Sequence, residues 1–204
     1  MFAPWKSITC CFPRFIRNVG APQQVLADNS QTQNGKKWTH TCRQYAIKQS
    51  NSVPHHQNQN GSEWKIQDVK NKTSHTLRMS GAPLLFWCYC LYFIIDCLNH
   101  TASEQLAWRT PQELLDGNTP DISVFRFEFW QAVEVFDCSA PFPHPKMIDA
   151  CFIGIAWNTG DAFTYLVWTE PNRDWRQGKE LVRNYIRPRK PKILTKPEEA
   201  EDYK

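Results

Sequence analysis

Two carboxylates stand out by their positions. Asp28 follows a short apolar run, Gln23–Ala27, and begins the polar turn Asp28-Asn29-Ser30, while Glu63 opens the amphipathic stretch Glu63–Leu77. Carboxylates are hard oxygen donors that suit divalent cations, but two acids 35 positions apart specify no site by themselves. Read alone, Asp28 caps the helix that follows it and Glu63 stabilises a helix N-terminus. Softer ligands add nothing. The eight cysteines form no C-x-x-C unit and no Cys/His zinc spacing, His55 and His56 are adjacent, and Cys88, Cys90 and Cys97 lie on an apolar run. They are expected to be reduced thiols outside any zinc site.

The elements around these residues can be read from local pattern. A helix over Phe12–Val19 is ended by Gly20 and Pro22, and a short strand, Gln23–Ala27, places Asp28 at its C-terminal end. A helix over Lys36–Ala46 spaces Trp38, Cys42 and Tyr45 along one side, and Ile47–Val53 reads as a strand stopped by Pro54. The polar loop PHHQNQNGS leads into the helix of Glu63, whose Ile66, Val69, Thr73 and Leu77 share a face. Thr110-Pro111-Gln112-Glu113 combines an N-cap, a proline at the first helical position and a capping-box acid, and Gly117 ends that helix. Then the period changes to strands, over Phe127–Phe136, Cys151–Trp157, Phe163–Thr169 and Glu180–Ile186, which suggests a small β-barrel. The domain boundary is expected near 118–124, and the Pro- and charge-rich end from Arg187 is expected to be extended or disordered.

With 204 residues, 41% hydrophobic and 13% aromatic, the chain has ample material for a packed core and is no low-complexity tail. Its net charge of +4 hides an asymmetry: residues 1–98 carry 11 basic and 4 acidic groups, 99–170 carry 3 and 10, and 171–204 carry 10 and 6. The basic ends suit phosphates, and equally suit a solvated face. Residues 82–98, APLLFWCYCLYFIIDCL, are nearly all apolar, yet they fall short of the roughly 20 residues a spanning helix needs and include Asp96. A helix buried on all sides is expected there, with no membrane partner. The first 27 residues form no signal peptide, so an intracellular location is expected.

The segments VGAPQQVLADN, HTCRQYAIKQSNSVPHHQNQNGSEWKIQDVK, SGAPLLFWCYCLYF and RTPQELLDGNTPDIS, in that order, resemble the integrase of copia-type LTR retrotransposons. In that family the second catalytic Asp is followed by Asn or another small polar residue. The catalytic Glu follows a proline and a Gln/Asn-rich loop, as Glu63 does here after Pro54. FIGIAW, AFTYLVW and ELVRNYIRP resemble the SH3-like barrel after the family's core, and the resemblance covers about residues 12–190.

The resemblance implies an α/β fold: a partial RNase H-like integrase core over 12–117, a small SH3-like β-barrel over 124–188, and a disordered tail over 189–204. It implies polynucleotidyl transfer on DNA with two Mg²⁺ or Mn²⁺ ions about 4 Å apart, Asp28 and Glu63 as catalytic metal ligands, and Gln59, Asn60, Lys65 and Lys70 near DNA. Residues 1–27 contain neither Asp nor Glu, so the family's first acid has no counterpart. Its first strands have none either. A truncated core with an uncovered sheet edge, inactive in strand transfer, is therefore expected. The same features suit a non-catalytic DNA-binding or assembly module. DNA and a second copy of the chain are the expected partners, and an intact element would act in the nucleus. The stretch Arg173–Lys196 holds nine basic and two acidic residues with Trp175 and Tyr185 interleaved, which suits either phosphate contacts or a solvated linker.

Overall fold

The computed structural model describes residues 8–27, 35–51, 61–137, 142–143, 146–160, 162–169 and 174–189. By its contacts the chain forms two compact units, residues 1–68 and 69–204, and the division falls inside a helix.

In the first unit, α1 (Ile8–Val19) ends at Gly20, whose φ of 103° is open to glycine and whose N–H donates to the Ile16 carbonyl. The chain continues into β1 (Gln24–Ala27), then α2 (Lys36–Gln44), then β2 (Lys48–Asn51). β1 and β2 are parallel, with Gln24 opposite Lys48 and Ala27 opposite Asn51. Parallel neighbours need a crossover, and α2 supplies it. Ile16, Trp38, Cys42 and Ile47 form the core of this unit, with Phe12 stacked on Trp38 at 4.3 Å. Leu26 on β1 remains 49% exposed, an apolar side chain that this two-stranded sheet does not cover.

A 20-residue helix, α3 (Gly61–Ser80), runs across the division. The second unit continues with a 3-10 turn at Leu84–Phe86, α4 (Trp87–Asn99) and α5 (Pro111–Asp116). α5 begins as its sequence dictates: the Thr110 hydroxyl accepts from the Glu113 N–H at 3.0 Å, and Gly117 closes the helix at φ 77°. α4 departs from expectation. Phe86 and Phe93 are buried against the sheet and Cys90 toward α3, where its thiol donates to the Thr73 carbonyl at 3.7 Å, but Leu84 is 79% and Tyr92 68% exposed, so the segment keeps one bare side. Its continuous apolarity has no period that could mark which side.

Five strands form an antiparallel sheet in the order β6-β5-β4-β3-β7: β3 (Ala132–Phe136), β4 (Met147–Ile155), β5 (Tyr165–Thr169), β6 (Glu180–Arg183) and β7 (Ile186–Pro188). β6 and β7 are its two edges, yet only Asn184 and Tyr185 separate them. Edges of a flat five-stranded sheet would stand about 19 Å apart, whereas the three steps from Arg183 to Ile186 span at most about 11 Å. The sheet must therefore curl until its edges approach, and a register shift between Phe152 and Gly154 in β4 helps it bend. Val133, Val135, Phe152, Tyr165 and Val167 point inward, where Phe86 and Phe93 pack against them. A mixed α/β chain with a barrel-like second part is thus present. Two strands are shorter than their patterns predict, because Trp130 and Phe163 take left-handed φ of 64° and 65° just before β3 and β5. Asn184 and Tyr185 break the run Glu180–Ile186 in two.

Candidate functional site

β1 ends at Ala27, so Asp28 is the next residue in sequence, and it lies outside the described residues, as do Gln59, Asn60 and the His55-His56 pair. Glu63 is in the first turn of α3, exposed, where its charge complements the unpaired N–H groups of the helix end. Lys65, exposed two positions on, places its ammonium 5.8 Å from the Trp64 ring centroid. Lys70 is exposed on the part of α3 that belongs to the second unit. The described residues thus include one of the two expected carboxylates and two of the four residues expected near DNA.

Among the described residues no group of three His, Cys, Asp or Glu gathers as cation ligands. Of the two expected carboxylate ligands only Glu63 is among the described residues, so no chemical step is assigned through a metal here. Cys88, Cys90 and Cys97 are free thiols on α4, and burial raises the Cys90 thiol to about 12 and the Cys97 thiol to about 11, which keeps both protonated. No described helix is long and apolar enough to cross a membrane.

The basic stretch is used differently from its count. Arg187 forms a 2.7 Å ion pair with Glu134, its cross-strand neighbour, and Arg189 pairs with Asp149 at 3.0 Å. Arg176 lies over the Trp175 ring at 5.1 Å. Arg187 and Arg189 are thus engaged within the barrel-like sheet and Arg176 in the 3-10 turn before β6, which leaves fewer of the nine for phosphates.

One polar cluster has no signal in the sequence. The Trp157 indole donates to Asp96 Oδ2 at 2.9 Å and its ring stacks on His100, 5.3 Å away and 6° from parallel. His100 Nδ1 lies 2.8 Å from the Asp96 carbonyl oxygen. Burial raises the Asp96 carboxyl above its ordinary value, partly opposed by the Trp157 hydrogen bond and by His100. Asp96 and Trp157 are 61 positions apart, and nothing in either segment announces the other.

No family model matches the sequence, and no curated protein matches it. Among solved structures, the HTLV-2 integrase catalytic core domain, in complex with magnesium in a trimeric form, aligns at 18% identity and a TM-score of 0.43, covering 54% of this chain and 71% of that one. The intasome of simian T-cell lymphotropic virus, in complex with PP2A regulatory subunit B56 gamma, aligns at 14% identity and a TM-score of 0.46, covering 88% of this chain and 62% of that one. The chain therefore spans less than two thirds of the second structure's chain.

Proposed function

We propose that this chain derives from a retrotransposon integrase of the copia type and binds DNA, with Asp28 and Glu63 inherited from a metal-dependent polynucleotidyl transfer site. One arrangement carries the reading. β1 and β2 are parallel, Asp28 directly follows the end of β1, and Glu63 sits in the first turn of the long helix after β2. Strand ends and helix starts are where a βαβα unit presents ligands, and the motifs flanking both acids resemble the family's. The curled five-stranded sheet supports reading 124–188 as the SH3-like barrel that follows a core over 12–117, with 189–204 as a tail.

The 204 residues supply two of the family's three acids, so on their own they bind DNA without transferring strands. Gln59, Asn60, Lys65 and Lys70 are the proposed DNA contacts, Mg²⁺ or Mn²⁺ the proposed cofactor, a second copy of the chain the proposed partner, and the nucleus the place of action in an intact element.

Calorimetric titration of Mg²⁺ and Mn²⁺, comparing the chain with its Asp28→Asn, Glu63→Gln double variant, tests the inherited site. Heat of binding that disappears in the variant supports it. Equal behaviour of the two chains removes the metal part and leaves a non-catalytic DNA-binding module. Metal-dependent strand transfer by the purified chain would overturn the claim of inactivity.

A further inference from the structure

A groove of about 840 Å³ in the second unit lies between the C-terminal half of α3, the inner side of α4 and residues 122–129. Met79, Phe93, Ile122, Phe125 and Phe129 make it apolar, and Glu128 contributes an acid. Met79 is 71% and Ile122 65% exposed, so the groove offers apolar surface that the described residues leave open. Concave apolar sites of this size are where proteins seat ligands or side chains.

The strand register shows which part of the chain arrives there. β7 runs antiparallel to β3, with Ile186 opposite Val135 and Pro188 opposite Val133, and the Arg189 N–H donates to the Ala132 carbonyl at 3.1 Å. The line of β7 up to Arg189 points toward the turn in which the Gln131 N–H donates to the Glu128 carbonyl at 3.0 Å. Glu128 and Phe129 of that turn line the groove. The next residues, Lys190-Pro191-Lys192-Ile193-Leu194-Thr195-Lys196, hold one apolar pair among lysines. Four residues reach about 13 Å, enough to carry Ile193 from the end of β7 past the turn.

We propose that this groove is the seat of the chain's own segment 190–196, with Ile193 and Leu194 in the apolar space and the preceding lysines beside Glu128. The tether favours this occupant over a separate one of equal apolarity, because a short linker holds its end at millimolar effective concentration. Charge agrees at one point, Glu128, the acid among the lining residues, which also include His75 and His100. Seating also withholds three lysines from nucleic acid.

The test uses the full chain with a benzophenone amino acid in place of Leu194. It is irradiated as an equal mixture of ¹⁴N- and ¹⁵N-labelled protein, and the cross-links are mapped by mass spectrometry. Same-label cross-links to peptides covering 75–80 and 122–129 are expected. Met79→Glu with Ile122→Glu, both at exposed positions and checked for folding by far-UV circular dichroism, should lower their yield about ten-fold. Mixed-label cross-links would make a second copy the occupant and overturn the proposal. So would cross-links confined to other segments, the absence of cross-links, or a yield that ignores the double substitution.

Discussion

Arg183 Nε donates a hydrogen bond to the carbonyl oxygen of Phe136 at 3.2 Å, joining the end of β6 to the end of β3 across 47 positions of sequence. The two strands are not neighbours in the sheet, whose order places β5 and β4 between them. The bond exists because the sheet curls, and it secures the curl by satisfying a carbonyl just beyond the β3–β7 ladder. Its removal in Arg183→Ala should cost about 1 kcal/mol, read from the urea midpoint at unchanged slope. A fall in the slope itself would mean that the sheet had opened.

The corner before β6 depends on a missing side chain. A Cβ on Gly178 would overlap the Thr169 carbonyl oxygen and the Trp168 indole, which donates to the Trp175 carbonyl at 2.8 Å. Backbone and a hydrogen-bonded ring cannot yield as a flexible side chain would. Gly178→Ala should therefore lose about 1–3 kcal/mol in chemical denaturation, although the φ of −72° at Gly178 is open to alanine. An unchanged midpoint would show that the corner relaxes freely.

Phe86 joins the helical segment to the sheet. Its ring is 4.4 Å from that of Trp130 and 5.0 Å from that of Trp168, and it is almost fully buried, while Leu84 two positions earlier is mostly exposed. Phe86→Ala should cost about 3–5 kcal/mol, and Leu84→Ala should stay within about 0.5 kcal/mol. Similar losses for both would mean that the Leu84 side of α4 is covered in solution.

These residues show what was legible in sequence and what was not. The start and stop of α5 were, because Thr110 and Gly117 act on their own backbone within one or two turns, although the Glu113 carboxylate pairs with Arg109 rather than closing a capping box. The helices, the two short strands of the first unit and the strand-rich second half followed from period and punctuation in the same way, but the parallel pairing of those two strands did not. The bare side of α4 was not legible, since an apolar run does not say which of its faces meets the sheet. Nor was the turn before β3: Phe127 and Phe129 mimic strand alternation, but Trp130 turns the chain at φ 64°. Arg187–Glu134 and Trp157–Asp96 are contacts between residues 53 and 61 positions apart, which only folding brings together. Asp28 was legible as a strand-end acid and lies outside the described residues, so its side of the candidate site rests on sequence.

The cluster at Asp96 sets a pH dependence. Burial raises this carboxyl above its unfolded value, so between those two values the folded chain binds more protons than the unfolded one. Stability from this group is then fully present below the unfolded value and declines as pH rises through the folded one. Asp96→Asn keeps an oxygen for the Trp157 N–H and removes the titration. The variant should lose that decline and be at least as stable as the parent at pH 7, measured by thermal unfolding at stepped pH. A variant less stable at every pH would mean that the charged hydrogen bond outweighs the burial of the carboxylate.

DNA affinity should separate the exposed cations from the engaged ones. Lys65 and Lys70 are exposed on α3, whereas Arg187 is bound to Glu134 across the sheet. Each phosphate contact releases counterions, so losing two should lower the slope of log affinity against log salt by about 1.8. Anisotropy of a labelled duplex between about 50 and 200 mM salt should show this for Lys65→Ala with Lys70→Ala. Arg187→Ala should leave the slope alone and act on stability. Asp28→Asn with Glu63→Gln removes two negative charges and should hold or tighten DNA binding, since neither carboxylate attracts phosphate. If the arginine variant lost the slope and the lysine pair kept it, the DNA-binding face would lie on the curled sheet and the α3 contacts would be wrong.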